Sequence, residues 1–321
     1  MIFAFDRNEV EKIGKKNKPT RQHYVPQVYL RNFCDSHGSI TVIDKRERRI
    51  FLTGVRAVGA ENDFYTLKKL EDPYCWEHTY ASSIEPLMGI LLSKLISQTS
   101  IPVQNGVTVL SPSEKVQLAI VMVVQLLRGK QSREYEQKLY TAYLPKAVEK
   151  AKIVFGSLSE EQNKLLQTFA CDDYYFKQVA MDVTLDTDRI AQYVGILCSR
   201  DFLIYRIQGD MEFITSDNPV MLINSITTNA RPFANGLANP TTMIYYPISP
   251  KLLLCAVHPS TYFGVLSDQD GHLVDLNACK EIGFISFINK KQIDQCYQHA
   301  FGRSVSTMKQ FQEYKGKREN S

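Results

Sequence analysis

Residues 111–128 read SPSEKVQLAIVMVVQLLR, and the organisation of the chain follows from how they are read. Ser111 is placed to cap a helix, Pro112 suits the first helical position, and Glu114 completes a capping box. From Val116 to Leu127 only Gln117 and Gln125 interrupt the apolar residues. A helix apolar on nearly every side is covered all round, and this run is too short to span a bilayer. The stretch therefore predicts a central helix of a soluble domain, one that continues through GKQSREYEQKLY to Tyr140. Gln125 and Arg128 on such a helix need partners, because an unpaired buried amide or charge is expensive.

Before this helix, Tyr80, Ile84, Leu87, Met88, Leu91, Leu92 and Leu95 are spaced for another helix over residues 76–97. Ser39–Asp44 and Arg49–Thr53 alternate around the charged turn KRERR and predict a β-hairpin, with a short strand ending near Tyr65–Leu67. Pro26 fits the first turn of a short helix reaching Phe33. After the central helix, residues 140–155, 159–169 and 173–198 read as helical. FLIYRI, EFITS, MIYYPI, LLLCAV and GFISFI then read as strands, and Asn289 as the cap of a last helix, KKQIDQCYQHAF. The class is α+β: a small N-terminal β element, a helical middle and a β-rich C-terminal part. One compact domain is expected over 19–308, with a flexible basic arm at 1–18 and a disordered charged tail at 309–321.

At 321 residues, 44% apolar and 22% charged, the chain has the balance of an ordinary globular protein. A net charge of +4 permits nucleic acid as a partner without arguing for it. Seven scattered cysteines, never spaced CxxC, argue for a reducing compartment and against a disulfide framework or zinc ribbon. Cys75 and His78 have metal-like spacing but no second pair. The start is not a signal peptide, so a cytoplasmic protein with no membrane partner is expected. Phosphate-loop, dinucleotide, zincin and nucleophile-elbow motifs are missing.

Two boxes hold the remaining polarity: HYVPQVYLRNF at 23–33 and FITSDNPV at 213–220. Between them stand AENDFYT at 60–66, Glu85, and Gln125 with Arg128; YYPISPKLLL follows at 245–254. In this order the chain resembles the bacterial domain-of-unknown-function family 4238, over roughly residues 20–300. The likeness rests on the HYVPQ-type box, the SDNP box and the P-x-S-P strand. Val28 stands where the family commonly has an aromatic. The resemblance brings no reaction with it. It implies a biological context, since family members occur among anti-phage defence genes.

The chemistry of these residues supports two readings. In the first, His23 is general base, acid or metal ligand, and Glu61, Glu85 and Asp217 supply carboxylates. His23, Glu61 and Asp217 would then hold Mg²⁺ or Mn²⁺, while Gln27, Asn32, Gln125, Arg128, Ser216 and Asn218 bind substrate, with Arg128 as a bidentate phosphate donor. The expected protein is an antiviral effector, a metal-dependent nuclease or related phosphoryl-bond hydrolase, meeting nucleic acid or a nucleotide. In the second, Asp217-Asn218-Pro219 is turn chemistry, His23 and Gln27 bond helix ends, and Glu85 pairs with Arg128 in a buried ion pair. The protein is then a non-catalytic sensor that binds a phage protein or a nucleotide signal.

Overall fold

The computed structural model describes residues 18–100, 103–156, 158–164, 173–224, 236–262 and 269–316. Strand β1 (Arg21–His23) leads into a one-turn helix α1 (Gln27–Leu30), which tightens to a 3₁₀ turn at Arg31–Phe33. Strands β2 (Ser39–Asp44) and β3 (Arg49–Gly54) form the expected hairpin, and β4 (Ala60–Asn62) returns to pair with β1. Helix α2 (Cys75–Thr79) passes through a π-turn (Tyr80–Ile84) into α3 (Glu85–Ser100). The central helix α4 (Pro112–Arg128) carries the capping box: Ser111 Oγ accepts from the Glu114 N–H, and the Glu114 carboxylate accepts from the Ser111 N–H. The helix expected to run on to Tyr140 breaks at Gly129, which is extended (φ −72°, ψ 161°), and beyond it come α5 (Lys130–Phe155), α6 (Asp173–Thr184) and α7 (Thr187–Cys198).

The chain then runs through β5 (Asp201–Gln208), β6 (Thr215–Ser216), β7 (Met221–Asn224), β8 (Thr242–Ser249), β9 (Leu252–Val257) and β10 (Leu273–Asn277). It closes with α8 (Ile282–Gln295), β11 (His299–Gly302) and α9 (Val305–Gly316). A five-stranded sheet has the order β10-β5-β9-β8-β7, antiparallel except for β10 beside β5. Its strands are apolar on both faces because both are covered. Ile204, Ile244, Tyr246, Leu252 and Leu254 join the core built around α3 and α4. Leu203, Tyr245, Leu253 and Cys255, one step along each strand, pack instead against Ile285 and Ile288 of α8.

A second sheet, β3-β2-β11-β6, joins the N-terminal hairpin to strands from the far end of the chain. The small β element and the β-rich C-terminal part therefore share one sheet, and α9 covers it through Met308 and Phe311.

The α+β expectation holds, with local corrections. GFISFI is not a strand; it lies inside α8, and a short apolar run does not distinguish a strand from a buried helix. Asn289 sits within that helix rather than capping it, and its amide holds the segment before β6: Oδ1 accepts from Ile214 N–H and Nδ2 donates to the Glu212 carbonyl. HAF belongs to β11. The helix expected over 173–198 breaks at Leu185–Asp186, where Asp186 caps α7 by accepting from the N–H groups of Asp188 and Arg189. The short strand is Ala60–Asn62; Asp63, in left-handed backbone at φ 54°, turns the chain before Tyr65. Residues 160–164 are helical, and the rest of the stretch expected up to 169 lies outside the described residues, as does the arm before Lys18. Helix α9 occupies much of the expected tail through residue 316.

Candidate functional site

The β1–β4 ribbon fixes His23. Gln22, fully buried, donates to Thr66 Oγ1 (2.8 Å) and the Pro19 carbonyl (3.0 Å) and accepts from the Tyr65 N–H. Gly59, at φ +62°, lies so close to Val25 that an added Cβ would stand 3.0 Å from the Val25 Cβ. Its carbonyl accepts the Val25 N–H (3.1 Å), which ties the ribbon to the start of α1. Only glycine adopts this backbone without strain.

Arg128, at the end of α4, is 1% exposed and organises what surrounds His23. Its Nη2 donates to the His23 carbonyl (2.5 Å) and to Glu85 Oε1 (3.1 Å), and its Nε donates to the Tyr65 hydroxyl (3.2 Å). The guanidinium lies over the Tyr80 ring at 4.0 Å. Three residues before, Gln125 Nε2 donates to the Tyr24 carbonyl (3.0 Å). Both polar residues of the central helix thus hold the backbone of the first box.

The π-turn brings a second carboxylate to the same guanidinium. Residues eight apart in a regular α-helix are rotated by about 80° from one another at 100° per residue. The wider i→i+5 turns at Tyr80–Ile84 advance less per residue and draw Glu77 and Glu85 toward one side. Burial pushes the Glu77 carboxyl up to about 7; Arg128 opposes this and Glu85 adds to it. Burial lowers the His23 imidazole below its ordinary value, against an upward pull from Glu85. The Nε2 atom of His23 is buried without a hydrogen-bond partner. Glu77 Oε2, Arg128 Nη1 and Gln125 Oε1 are likewise buried with no hydrogen-bond partner.

The SDNP box is built the opposite way. Asp217, 1% exposed, accepts the N–H groups of Tyr297, Gln298 and His299 at 2.7 Å each, and its own N–H donates to the His299 carbonyl (2.9 Å). Burial raises its carboxyl, and the three N–H donors pull it back down. Ser216 Oγ donates to Gln292 Oε1 (2.6 Å) and accepts the Asn218 N–H (3.1 Å). Asn218 Nδ2 donates to Gln131 (2.7 Å) and to the Gln295 carbonyl (3.2 Å). The box locks β6 and β11 to α8.

A family model described as a protein of unknown function, DUF4238, matches residues 21–306, with the first box, the π-turn, the central helix and the SDNP box all inside the match. The chain belongs to the DUF4238 family. No curated protein and no solved structure matches it.

In this DUF4238 protein the ten residues expected to form one site fall in five places. His23, Glu85, Arg128 and Gln125 are brought together. Glu61 is not with them: the ribbon register sets it opposite Gln22, while His23 stands opposite Ala60, and adjacent residues of a strand face opposite ways. Glu61 forms an ion pair with Lys130 instead. Asp217, Ser216 and Asn218 belong to the lock. Gln27 is half-buried and accepts from Arg31 (3.3 Å), and Asn32 lines a separate cleft. The expected ligand set His23, Glu61 and Asp217 therefore does not assemble. Among the described residues no group of three or more His, Cys, Asp or Glu is placed to hold a metal ion. His78 of the Cys75–His78 spacing lies 3.0 Å from Asp72.

Sequence reasoning missed Glu77, Tyr65 and Tyr80. The eight-residue spacing of Glu77 and Glu85 gives no signal in a regular helix and becomes informative only with the π-turn. No described helix is long and apolar enough to cross a membrane.

Proposed function

We propose that this DUF4238 protein is a phosphoryl-bond hydrolase of the nuclease type, acting in the cytoplasm in antiviral defence, with His23, Glu77, Glu85 and Arg128 as its site. The observation that carries the reading is the orphaned set His23 Nε2, Glu77 Oε2 and Arg128 Nη1. They come from a strand and two helices, and His23 and Glu77 each lie within electrostatic reach of Arg128 and Glu85. Each buried polar atom without a partner costs about 1–3 kcal/mol, so three in one place mark a position that a ligand completes.

The chemistry follows from the protonation states. Neutral His23 accepts through Nε2 the proton of a water that attacks phosphorus. Arg128 Nη1 donates to a non-bridging oxygen as negative charge develops there. Protonated Glu77 gives its proton to the leaving oxygen as the phosphorus–oxygen bond breaks, and proton exchange with solvent resets both groups. Glu85, paired with Arg128, is a positioning residue for the guanidinium. A divalent cation such as Mg²⁺ or Mn²⁺, if used, would be approached by Glu77 and Glu85 rather than by Glu61 and Asp217.

The test is incubation of the protein with tRNA, single-stranded nucleic acid and free nucleotides, with and without EDTA. Cleavage that is lost in His23→Gln supports the site. Persistence in EDTA supports acid–base chemistry alone, and restoration by Mg²⁺ or Mn²⁺ supports the metal reading. Turnover unchanged in both His23→Gln and Glu77→Gln overturns the assignment. A second reading, a sensor that binds a phage protein or a nucleotide signal, is favoured by the full burial of the Arg128 side chain.

A further inference from the structure

A large cleft lies away from His23, at the other end of α3. Glu85 opens that helix and Thr99 stands fourteen residues on, about 21 Å along the axis at 1.5 Å per residue. The cleft has a volume of about 1050 Å³ between the end of α3, the β5–β10 edge and the β8–β9 turn. That is more space than an inorganic anion fills, and at the upper end for a small organic ligand.

Its walls carry three cations, Arg206, Lys251 and Arg303, against one carboxylate, Asp275. Arg206 is committed to the protein by four hydrogen bonds: it grips Asp275 through Nε (2.7 Å) and Nη2 (2.9 Å), and the carbonyls of Thr99 (2.8 Å) and Val103 (2.9 Å). It thereby neutralises both the carboxylate and the exposed carbonyl end of α3, which would otherwise repel an anion. The other two cations have donors to spare. Arg303 binds Glu212 through Nε (2.8 Å) and Nη2, leaving Nη1. Lys251 donates to the carbonyls of Gly209 (2.5 Å) and Met211 (2.7 Å) and keeps a third N–H. Asn32, on the facing wall, has a buried Nδ2 with no partner. Ile96, Val103 and Leu252 supply an apolar strip at the same cleft.

We infer that this cleft is a second binding site, for a phosphorylated nucleotide, with the phosphates at Lys251 and Arg303 and the base against the strip of Ile96, Val103 and Leu252. Asn32 Nδ2 donates to the ligand, which explains why the first box carries an asparagine facing away from His23. The site stands independently of the reaction proposed at His23.

Isothermal titration of the full chain with ATP, adenosine and inorganic phosphate tests it. ATP binds, adenosine binds at least about tenfold more weakly, and phosphate alone is weaker than ATP. Asn32→Ala removes a group that bonds nothing in the protein, so it leaves the thermal melt unchanged while weakening ATP about tenfold. Arg303→Gln weakens ATP by a similar factor, and His23→Gln leaves ATP binding as in the wild type. No ATP binding at millimolar concentration overturns the inference, as does wild-type affinity in both Asn32→Ala and Arg303→Gln. Loss of ATP binding in His23→Gln also overturns it, by moving the ligand to the other site.

Discussion

The polar clusters around Asp217 and around Arg128 are both buried and opposite in bonding. At the SDNP box, both oxygens of Asp217, the Ser216 hydroxyl and the Asn218 amide find donors or acceptors within the protein. Around Arg128, three elements converge and still leave His23 Nε2, Glu77 Oε2 and Arg128 Nη1 without partners. A buried carboxylate with a full set of backbone donors is a structural clasp, because nothing is left over with which to meet a ligand. A buried cluster with donors and acceptors left over is the better candidate for chemistry. Polarity in a sequence marks both equally; satisfaction separates them.

The sharpest way to break the comparison is Asp217→Ala. It strands three N–H groups in the interior and should lower unfolding free energy by about 4 kcal/mol in urea titration. A loss below 1 kcal/mol would show that the box is not a clasp. His23→Gln should do the reverse, changing stability by no more than about 1 kcal/mol while reducing hydrolysis about 100-fold, equivalent to about 2.7 kcal/mol. Because burial lowers the His23 value and raises Glu77 to about 7, the rate of wild type should peak on the acid side of neutrality. Glu77→Gln should remove the alkaline limb of that profile.

Glu77 also sharpens the comparison through stability. Its folded value, about 7, lies above the ordinary 4.5, so the folded state holds this proton more tightly. The resulting stabilisation is complete below about pH 4.5 and is lost as pH rises through 7. Glu77→Gln should be more stable than wild type by about 1–3 kcal/mol at pH 8 and not at pH 4, read from melts at the two values. A constant difference between the two would place Glu77 in an ordinary solvated setting. The smallest effect belongs to Gln27→Ala, within about 0.5 kcal/mol and without a change in turnover, since its bond to Arg31 lies at the surface.

Much of the architecture was legible because it rests on local rules. The capping box at Ser111 and Glu114, the hairpin around KRERR and the apolar runs of β8 and β9 each follow from a few neighbouring residues. The same reasoning anticipated that Gln125 and Arg128 would need partners and that Glu85 could be one of them. It failed at GFISFI, where apolar content does not reveal periodicity, and at Asn289, whose capping chemistry serves a distant strand. It gathered Glu61 with His23, which ribbon register forbids.

By itself the sequence determined the class of fold, the central helix, and that Gln125 and Arg128 on it would need partners. It did so because helix caps, turn residues and hydrophobic period act over a few positions. Tertiary structure alone decided which buried groups are satisfied. Asp217 meets N–H groups about eighty residues away in the chain, and Glu77 reaches Arg128 only through a π-turn that shifts one face of a helix. Hydrogen-bond satisfaction is a property of atoms brought together across the chain, and no local rule counts it.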